Sequence, residues 1–94
     1  MSIVARRVVV RGRVQGVGFR DGAVQAAAAL GVSGWVRNRF DGSVESFVQG
    51  AAGDVDRFVA WCRRGPSAAK ITGVVVDDAP PDAALDGFEW RPSA

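Results

Sequence analysis

Two glycines and an arginine near the N-terminus have the residue types and the spacing of an oxyanion-binding loop. Gly16 and Gly18 are separated by one residue, and glycine readily takes the positive φ angles that turn successive backbone N–H groups to one side. Such N–H groups form a concave anion site, and the start of a following helix adds donors and a partial positive charge. Arg20 adds a planar, permanently charged guanidinium whose geometry matches phosphate or carboxylate oxygens. The predicted phosphate-binding residues are Gln15, Gly16, Val17, Gly18, Phe19 and Arg20.

The same residues are also compatible with an ordinary turn. The glycines could serve only to reverse the chain, and the arginine could be a solvated surface residue, since an isolated Gly-x-Gly pattern indicates a ligand only weakly. The segment is also neither of the common nucleotide-binding loops. No Lys-Ser or Lys-Thr follows the glycines, and Asp21 stands where a dinucleotide fingerprint has its third glycine.

The composition excludes several classes of chemistry. The 94 residues contain no histidine and a single cysteine, Cys62. This rules out Cys-His and Ser-His-Asp mechanisms, histidine-based zinc sites and an intrachain disulfide. The helical spacing of Cys62 from Phe58 and Val59 predicts a core residue rather than a nucleophile. The formal net charge of +2 is too small to indicate nucleic-acid binding.

Two further patterns bear on location and on metal binding. No apolar run is long enough for a signal peptide or a membrane span, so a cytoplasmic protein without a membrane partner is expected. A proline-containing segment, 77–86, carries several aspartates but lacks the glycine-turned loop of a calcium site. It is therefore predicted to be a solvated loop and not a metal site. Its aspartates are Asp77, Asp78, Asp82 and Asp86.

Strand-like and helical patterns alternate along the chain and would position the loop. A β-branched run at 8–10 leads into it, and an alanine-rich helical segment follows it. Asp41-Gly42 predicts a hairpin between the second and third strands. Asp54 is predicted to be the N-cap of the second helix, which Gly65-Pro66 ends. The predicted strands are 6–14, 32–39, 43–49, 70–76 and 88–91, and the first helix is 21–30.

This order, β-α-β-β-α-β, predicts an α+β ferredoxin-like sandwich. It would be a single domain, residues 1–94, in which two helices cover one face of an antiparallel sheet. The fold by itself names no activity. RNA-recognition domains share it, but they stack bases on aromatic residues of their central strands. The third strand lacks their aromatic pattern and the first strand carries arginines, so no nucleic-acid partner is expected.

Two segments resemble the signatures of the acylphosphatase family. VRGRVQGVGFR at 10–20 resembles the first signature and GWVRNRFDGSVE at 34–45 the second, and similarity continues to the closing FEWR at 88–91. The resemblance covers nearly the whole chain. It implies a small ferredoxin-like enzyme that hydrolyses the carboxyl–phosphate bond of acyl phosphates, with inorganic phosphate as a product and without metal or organic cofactor. It also implies that Arg20 and Asn38 are the catalytic pair.

The residues make chemical sense of this implied activity. The leaving group of an acyl phosphate is a stable carboxylate, so its departure needs no general acid, which suits a chain without histidine. The loop N–H groups and Arg20 would hold the phosphoryl oxygens and stabilise charge in the transition state. Asn38 offers an acceptor and two donors that can orient the attacking water, while the substrate's own phosphate oxygens could take its proton. On residue type alone, Asn38 more often caps a turn such as Asp41-Gly42.

The chain departs from the family pattern directly after the arginine. Asp21-Gly22 stands where family members commonly have bulky apolar or aromatic residues. A carboxylate suits a helix start, but here it would repel a bound phosphate or pair with Arg20.

Two other functional settings stay open on the sequence. A non-catalytic anion-binding or regulatory module of the same fold would keep the loop and Arg20 without needing Asn38. Related domains also occur inside larger hydrogenase maturation proteins. The chain ends shortly after its last predicted strand, which favours a free enzyme, predicted to be a monomer.

Overall fold

Segments of alternating and β-branched residues form the five strands of one sheet in the computed structural model, which describes residues 2–94. Two helices, α1 (Phe19–Leu30) and α2 (Ala52–Arg64), pack together on one face of this sheet. The other face is called the open face below. The strands are β1 (Ile3–Arg13), β2 (Ser33–Asn38), β3 (Val44–Ala51), β4 (Lys70–Ala79) and β5 (Phe88–Arg91).

The strand order in the sheet is β4-β1-β3-β2-β5. The four strands from β4 to β2 pair antiparallel, as the predicted ferredoxin-like arrangement requires. β5 differs, because it pairs parallel with β2 in a register that sets Val36 opposite Trp90. Since β4 and β5 lie at opposite edges, the segment 80–87 carries the chain from one edge to the other. The sheet is therefore mixed, and within residues 2–94 its parallel pair is β2 with β5.

The core lies between the sheet and the helices. The prediction that Cys62 is a core residue of α2 is confirmed, since it is fully buried together with Val55 and Phe58. Burial raises the pKa of the Cys62 thiol to about 12, so this cysteine is a packing residue and not a nucleophile. The other buried core residues are Val8, Val10, Val14, Phe19, Ala23, Ala27, Val32, Val36, Val44 and Val48.

Both helices begin earlier than predicted. α1 starts at Phe19 instead of Asp21, because Gly18 takes a left-handed conformation and serves as the N-cap. α2 starts at Ala52, so the prediction that Asp54 is its N-cap is wrong. Asp54 instead lies in the first turn of α2, where its charge still suits the helix dipole.

The predicted aspartate-rich loop is partly strand. β4 continues through Asp77 and Asp78 to Ala79, because β1 begins at Ile3 and offers a pairing partner along that whole length. Arg6 forms an ion pair with Asp78 at 3.2 Å. Within residues 2–94, no group of three or more His, Cys, Asp or Glu side chains is arranged to hold a metal ion. Neither helix of this described part is both long and apolar enough to cross a membrane.

Candidate active site

A cavity of about 190 Å³ opens where β1 ends, α1 begins and β2 ends. The structure brings most of the predicted site residues together around it, although they come from separate parts of the chain. The cavity is lined by Val14, Gly16, Gly18, Phe19, Arg20, Asp21 and Asn38.

The loop before α1 and the first residues of α1 carry backbone amides that are not used in the described turn, loop and cap hydrogen bonds. Gly16 and Gly18 have φ angles of 74° and 84°, and a left-handed backbone of this kind favours glycine. Phe19 and Arg20 are the first residues of α1, so their N–H groups have no partner inside the helix. Among the turn, loop and cap hydrogen bonds of residues 2–94, none is donated by a backbone amide between Gln15 and Arg20. The amides and the positive end of α1 together form a site that suits an anion.

Two of the predicted phosphate-binding residues do not line the cavity. The side-chain amide of Gln15 donates hydrogen bonds to the backbone oxygens of Arg39, at 2.7 Å, and Ser43, at 2.9 Å. It therefore ties the loop to the β2–β3 hairpin, a role that sequence reasoning missed. Val17 is partly buried against the core. Any part that these two residues take in the predicted binding would therefore be limited to their backbone amides.

Aromatic packing fixes the first turn of α1 beneath the cavity. The buried ring of Phe19 contacts Trp61 of α2 edge-on, with 5.1 Å between ring centroids. Trp61 also packs closely over Gly22, where an added β-carbon would lie 2.7 Å from Cζ2 of the indole. Gly22, a departure from the family pattern, thus makes room for this tryptophan. The sequence shows the glycine but does not predict its close contact with Trp61.

Arg20 is held by an aromatic ring and not by a carboxylate. Its guanidinium carbon lies 4.9 Å from the centre of the Trp90 ring. In the described chain, 2–94, Arg20 forms no ion pair, so the expected alternative of pairing with Asp21 is not seen. Asp21 is exposed and lines the same cavity. Arg20 and Asp21 therefore bring opposite charges to the same cavity, where the guanidinium favours a bound anion and the carboxylate disfavours it.

Asn38 is the last residue of β2 and also lines the cavity. Its backbone oxygen accepts a hydrogen bond from the amide of Ala94 at 3.1 Å. The turn-capping role belongs to Asp41, whose Oδ1 accepts from the Ser43 amide at 2.9 Å and from the Ser43 hydroxyl at 2.6 Å. These bonds, the hydroxyl's first, lower the pKa of Asp41 to about 2. The cap is thus Asp41 and not Asn38.

The arginines of the open face have a different environment. Glu45 of β3 is 2% exposed and accepts hydrogen bonds from Arg7 and, at 2.7 Å, from Arg37. Burial alone would raise the pKa of Glu45, but the two arginines outweigh it and the pKa is lowered. Sequence reasoning missed this cluster, because the pairing depends on the register that places Glu45 opposite Arg37 and beside β1.

Comparisons with known proteins identify the family. A family model described as acylphosphatase matches residues 6–90. The chain belongs to the acylphosphatase family. A curated acylphosphatase of Rubrobacter xylanophilus is 53% identical over 90% of this chain and 77% of its own length. One of Azoarcus sp. is 50% identical over 98% of this chain and 93% of its own. Similarity at this level confirms the predicted resemblance and makes the chain an acylphosphatase-family enzyme.

The fold prediction is confirmed in the same way. The crystal structure of acylphosphatase from Bacillus subtilis matches with a TM-score of 0.89 and 33% identity, covering 94% of this chain and 98% of the other. The acylphosphatase match extends across both helices and all strands from β1 into β5. The cavity described above therefore lies within the family domain.

Proposed function

We propose that this acylphosphatase-family enzyme hydrolyses the carboxyl–phosphate bond of acyl phosphates to a carboxylate and inorganic phosphate. The observation that supports the proposal is that Gly16, Gly18, Arg20 and Asn38 line one cavity of about 190 Å³, next to loop amides that are not used in the described turn, loop and cap hydrogen bonds. A phosphoryl group needs such a set of donors, because its charge is spread over several oxygens. All of these groups come from one chain.

The loop and Arg20 are proposed to hold the phosphoryl group. The backbone amides of residues 15–20 would donate to its oxygens, and the guanidinium would add charge-assisted hydrogen bonds from its planar edge. These donors are fixed by the loop and by α1 before the substrate arrives. They therefore stabilise the transition state without first having to reorganise.

Asn38 is proposed to orient the attacking water. The water oxygen would form a bond to phosphorus as the bond between phosphorus and the carboxyl oxygen breaks. The electron pair of that bond leaves with the carboxylate, which needs no protonation. The water's protons pass to phosphate oxygens, so the chain itself needs no general base. Positioning and charge stabilisation would supply the rate increase.

Hydrolysis of benzoyl phosphate by three variants tests these assignments. Arg20→Ala removes a donor to the transition state and should lower kcat/KM by about 10²–10³-fold, with weaker binding of inorganic phosphate. Asn38→Ala should lower kcat by a similar factor while phosphate affinity is retained. Arg37→Ala on the open face is the matched arginine control, and it should leave kcat/KM and the affinity for phosphate unchanged.

Together, these measurements distinguish an enzyme from a non-catalytic binding module. Normal turnover by Asn38→Ala would remove that residue from the mechanism. Phosphate binding without turnover by the unmodified chain would favour the non-catalytic module instead. The monomeric state and the cytoplasmic location stay predictions from the sequence, which light scattering and cell fractionation can check.

A further inference from the structure

Trp90 is a large apolar side chain that lies 55% exposed beside the candidate active site. Phe88, two residues earlier on β5, turns its ring into the core, where it packs 5.3 Å from the ring of Phe58. Trp90 belongs to the same face of β5, but it reaches beyond the core and lies against the guanidinium of Arg20. Core packing does not account for the position of this side chain, whereas the Arg20 guanidinium lies directly over its ring.

The position of β5 places this indole at the site. β5 runs parallel to β2, with Trp90 opposite Val36, so the strand that carries Asn38 also fixes the position of Trp90. Beyond β5, the amide of Ala94 donates to the backbone oxygen of Asn38 at 3.1 Å. One segment, 88–94, therefore contacts both proposed catalytic residues, one through a side chain and the other through the backbone.

We propose that Trp90 is a positioning residue that holds the Arg20 guanidinium at the phosphate loop; this rests on the proposed function. A carboxylate could also fix an arginine, but it would occupy the N–H donors and neutralise the charge. An aromatic ring instead contacts the face of the guanidinium and leaves the donors at its planar edge free for phosphate oxygens. The contact also opposes rotation of Arg20 toward the neighbouring Asp21.

Substitution of Trp90 tests this role against a matched tryptophan. Trp90→Leu should lower kcat/KM for benzoyl phosphate and the affinity for inorganic phosphate by about 3- to 30-fold, the range of a cation–π contact. Trp90→Phe keeps an aromatic face and should recover most of the loss. Trp35→Leu removes a tryptophan that contacts arginines on the open face and should leave both values unchanged. Because Trp90 is half-exposed, its variants should keep a thermal midpoint close to that of the unmodified chain.

A double-mutant cycle shows whether Trp90 acts through Arg20. In an Arg20→Ala background, Trp90→Leu should cause no further loss of kcat/KM, since the group that it positions is absent. Equal losses in both backgrounds would overturn the proposal, and so would normal kinetics of Trp90→Leu in the unmodified background.

A structural readout keeps this inference separate from the proposed activity. The ring current of Trp90 should shift the Arg20 side-chain NMR signals upfield, and Trp90→Leu should abolish the shift. Inactivity of the unmodified chain toward benzoyl phosphate would count against the proposed function alone. Phosphate affinity in Trp90→Leu would then decide the role of Trp90: weaker binding supports it, and unchanged binding overturns it.

Discussion

Trp35 and Trp90 each contact arginine, but the arginines differ in whether they also contact a carboxylate. On the open face, Trp35 lies 4.7 Å from the guanidinium of Arg37 and 5.3 Å from that of Arg91. Arg37 also binds Glu45, and Arg91 forms an ion pair with its neighbour Glu89. At the cavity, Trp90 holds Arg20, which has no carboxylate partner within residues 2–94.

The difference lies in what each arginine has left to donate. Where carboxylates bind the guanidinium, its charge is balanced inside the protein and supports the sheet. Where only an aromatic face contacts it, the N–H donors and the charge remain available to a ligand. An arginine that contacts a carboxylate as well as an aromatic ring is therefore suited to a structural role. An arginine that contacts only the ring, as Arg20 does, is suited to binding phosphate.

The largest expected effect comes from unbalancing the charges of the open face. Glu45→Gln removes the buried carboxylate between Arg7 and Arg37 and should lower the free energy of unfolding by about 2–3 kcal/mol. The two arginines are partly exposed and can regain water, which limits the cost. Urea denaturation measures this loss, and the affinity for phosphate should not change. Glu89→Gln, at an exposed pair, is the control and should cost less than about 1 kcal/mol.

A smaller effect is expected on the cavity side, beneath Arg20. Gly22→Ala places a β-carbon against Trp61 and should lower the free energy of unfolding by about 1–2 kcal/mol, because overpacking outweighs the better helix propensity of alanine. Gly53→Ala in α2 is the matched control: only the flexible end of Arg57 lies near the added carbon, at 3.4 Å. It should raise stability by about 0.5–1 kcal/mol. A stabilising Gly22→Ala would contradict the close contact with Trp61.

Asp21 places a negative charge beside Arg20 in the cavity. Removing this charge should make the cavity bind anions more tightly. Asp21→Ala is expected to tighten inorganic phosphate binding by about 2- to 5-fold, because a carboxylate that lines the anion site is removed. The gain should shrink as salt is added. Asp56→Ala on α2, away from the cavity, should leave phosphate affinity unchanged. Weaker binding by Asp21→Ala would reject the repulsion.

The smallest effect concerns the turn next to Asn38. The pKa of Asp41 falls from 3.8 to about 2 on folding, so its contribution to stability is complete above the higher value and is lost as the pH falls toward the lower one. Asp41→Asn should therefore lower the thermal midpoint at pH 6, and the gap from the unmodified chain should close between pH 4 and pH 2. A gap that is independent of pH would exclude the lowered pKa as its cause.

The backbone geometry of the loop before α1 could be predicted from local residue types, whereas contacts between residues distant in sequence could not. Glycine favours positive φ angles, so the residue types at 16 and 18 predict the backbone conformation there. The position of Asn38 at a strand end follows from the hairpin signal at Asp41-Gly42. Glu45 gives no comparable sign, because its partners are set by sheet register. The parallel placement of β5 also depends on tertiary pairing.

The same reasoning explains the errors at element ends. Asp54 has the residue type of an N-cap, but the preceding residues already satisfy the helix geometry from Ala52 onward. Asp77 and Asp78 are poor strand residues by propensity, yet β1 supplies a neighbour with which they pair. Tertiary contacts thus moved the boundaries that local preference had placed elsewhere.

The edge position of β5 determines how this enzyme should respond to heat. β5 is a four-residue edge strand with a single neighbour, and such strands open locally at a lower free energy than a sheet interior. When β5 detaches, Arg20 loses its aromatic support and the end of β2 loses its bond to Ala94, while the other four strands stay paired. Catalytic competence would then fade on warming before the fold itself melts.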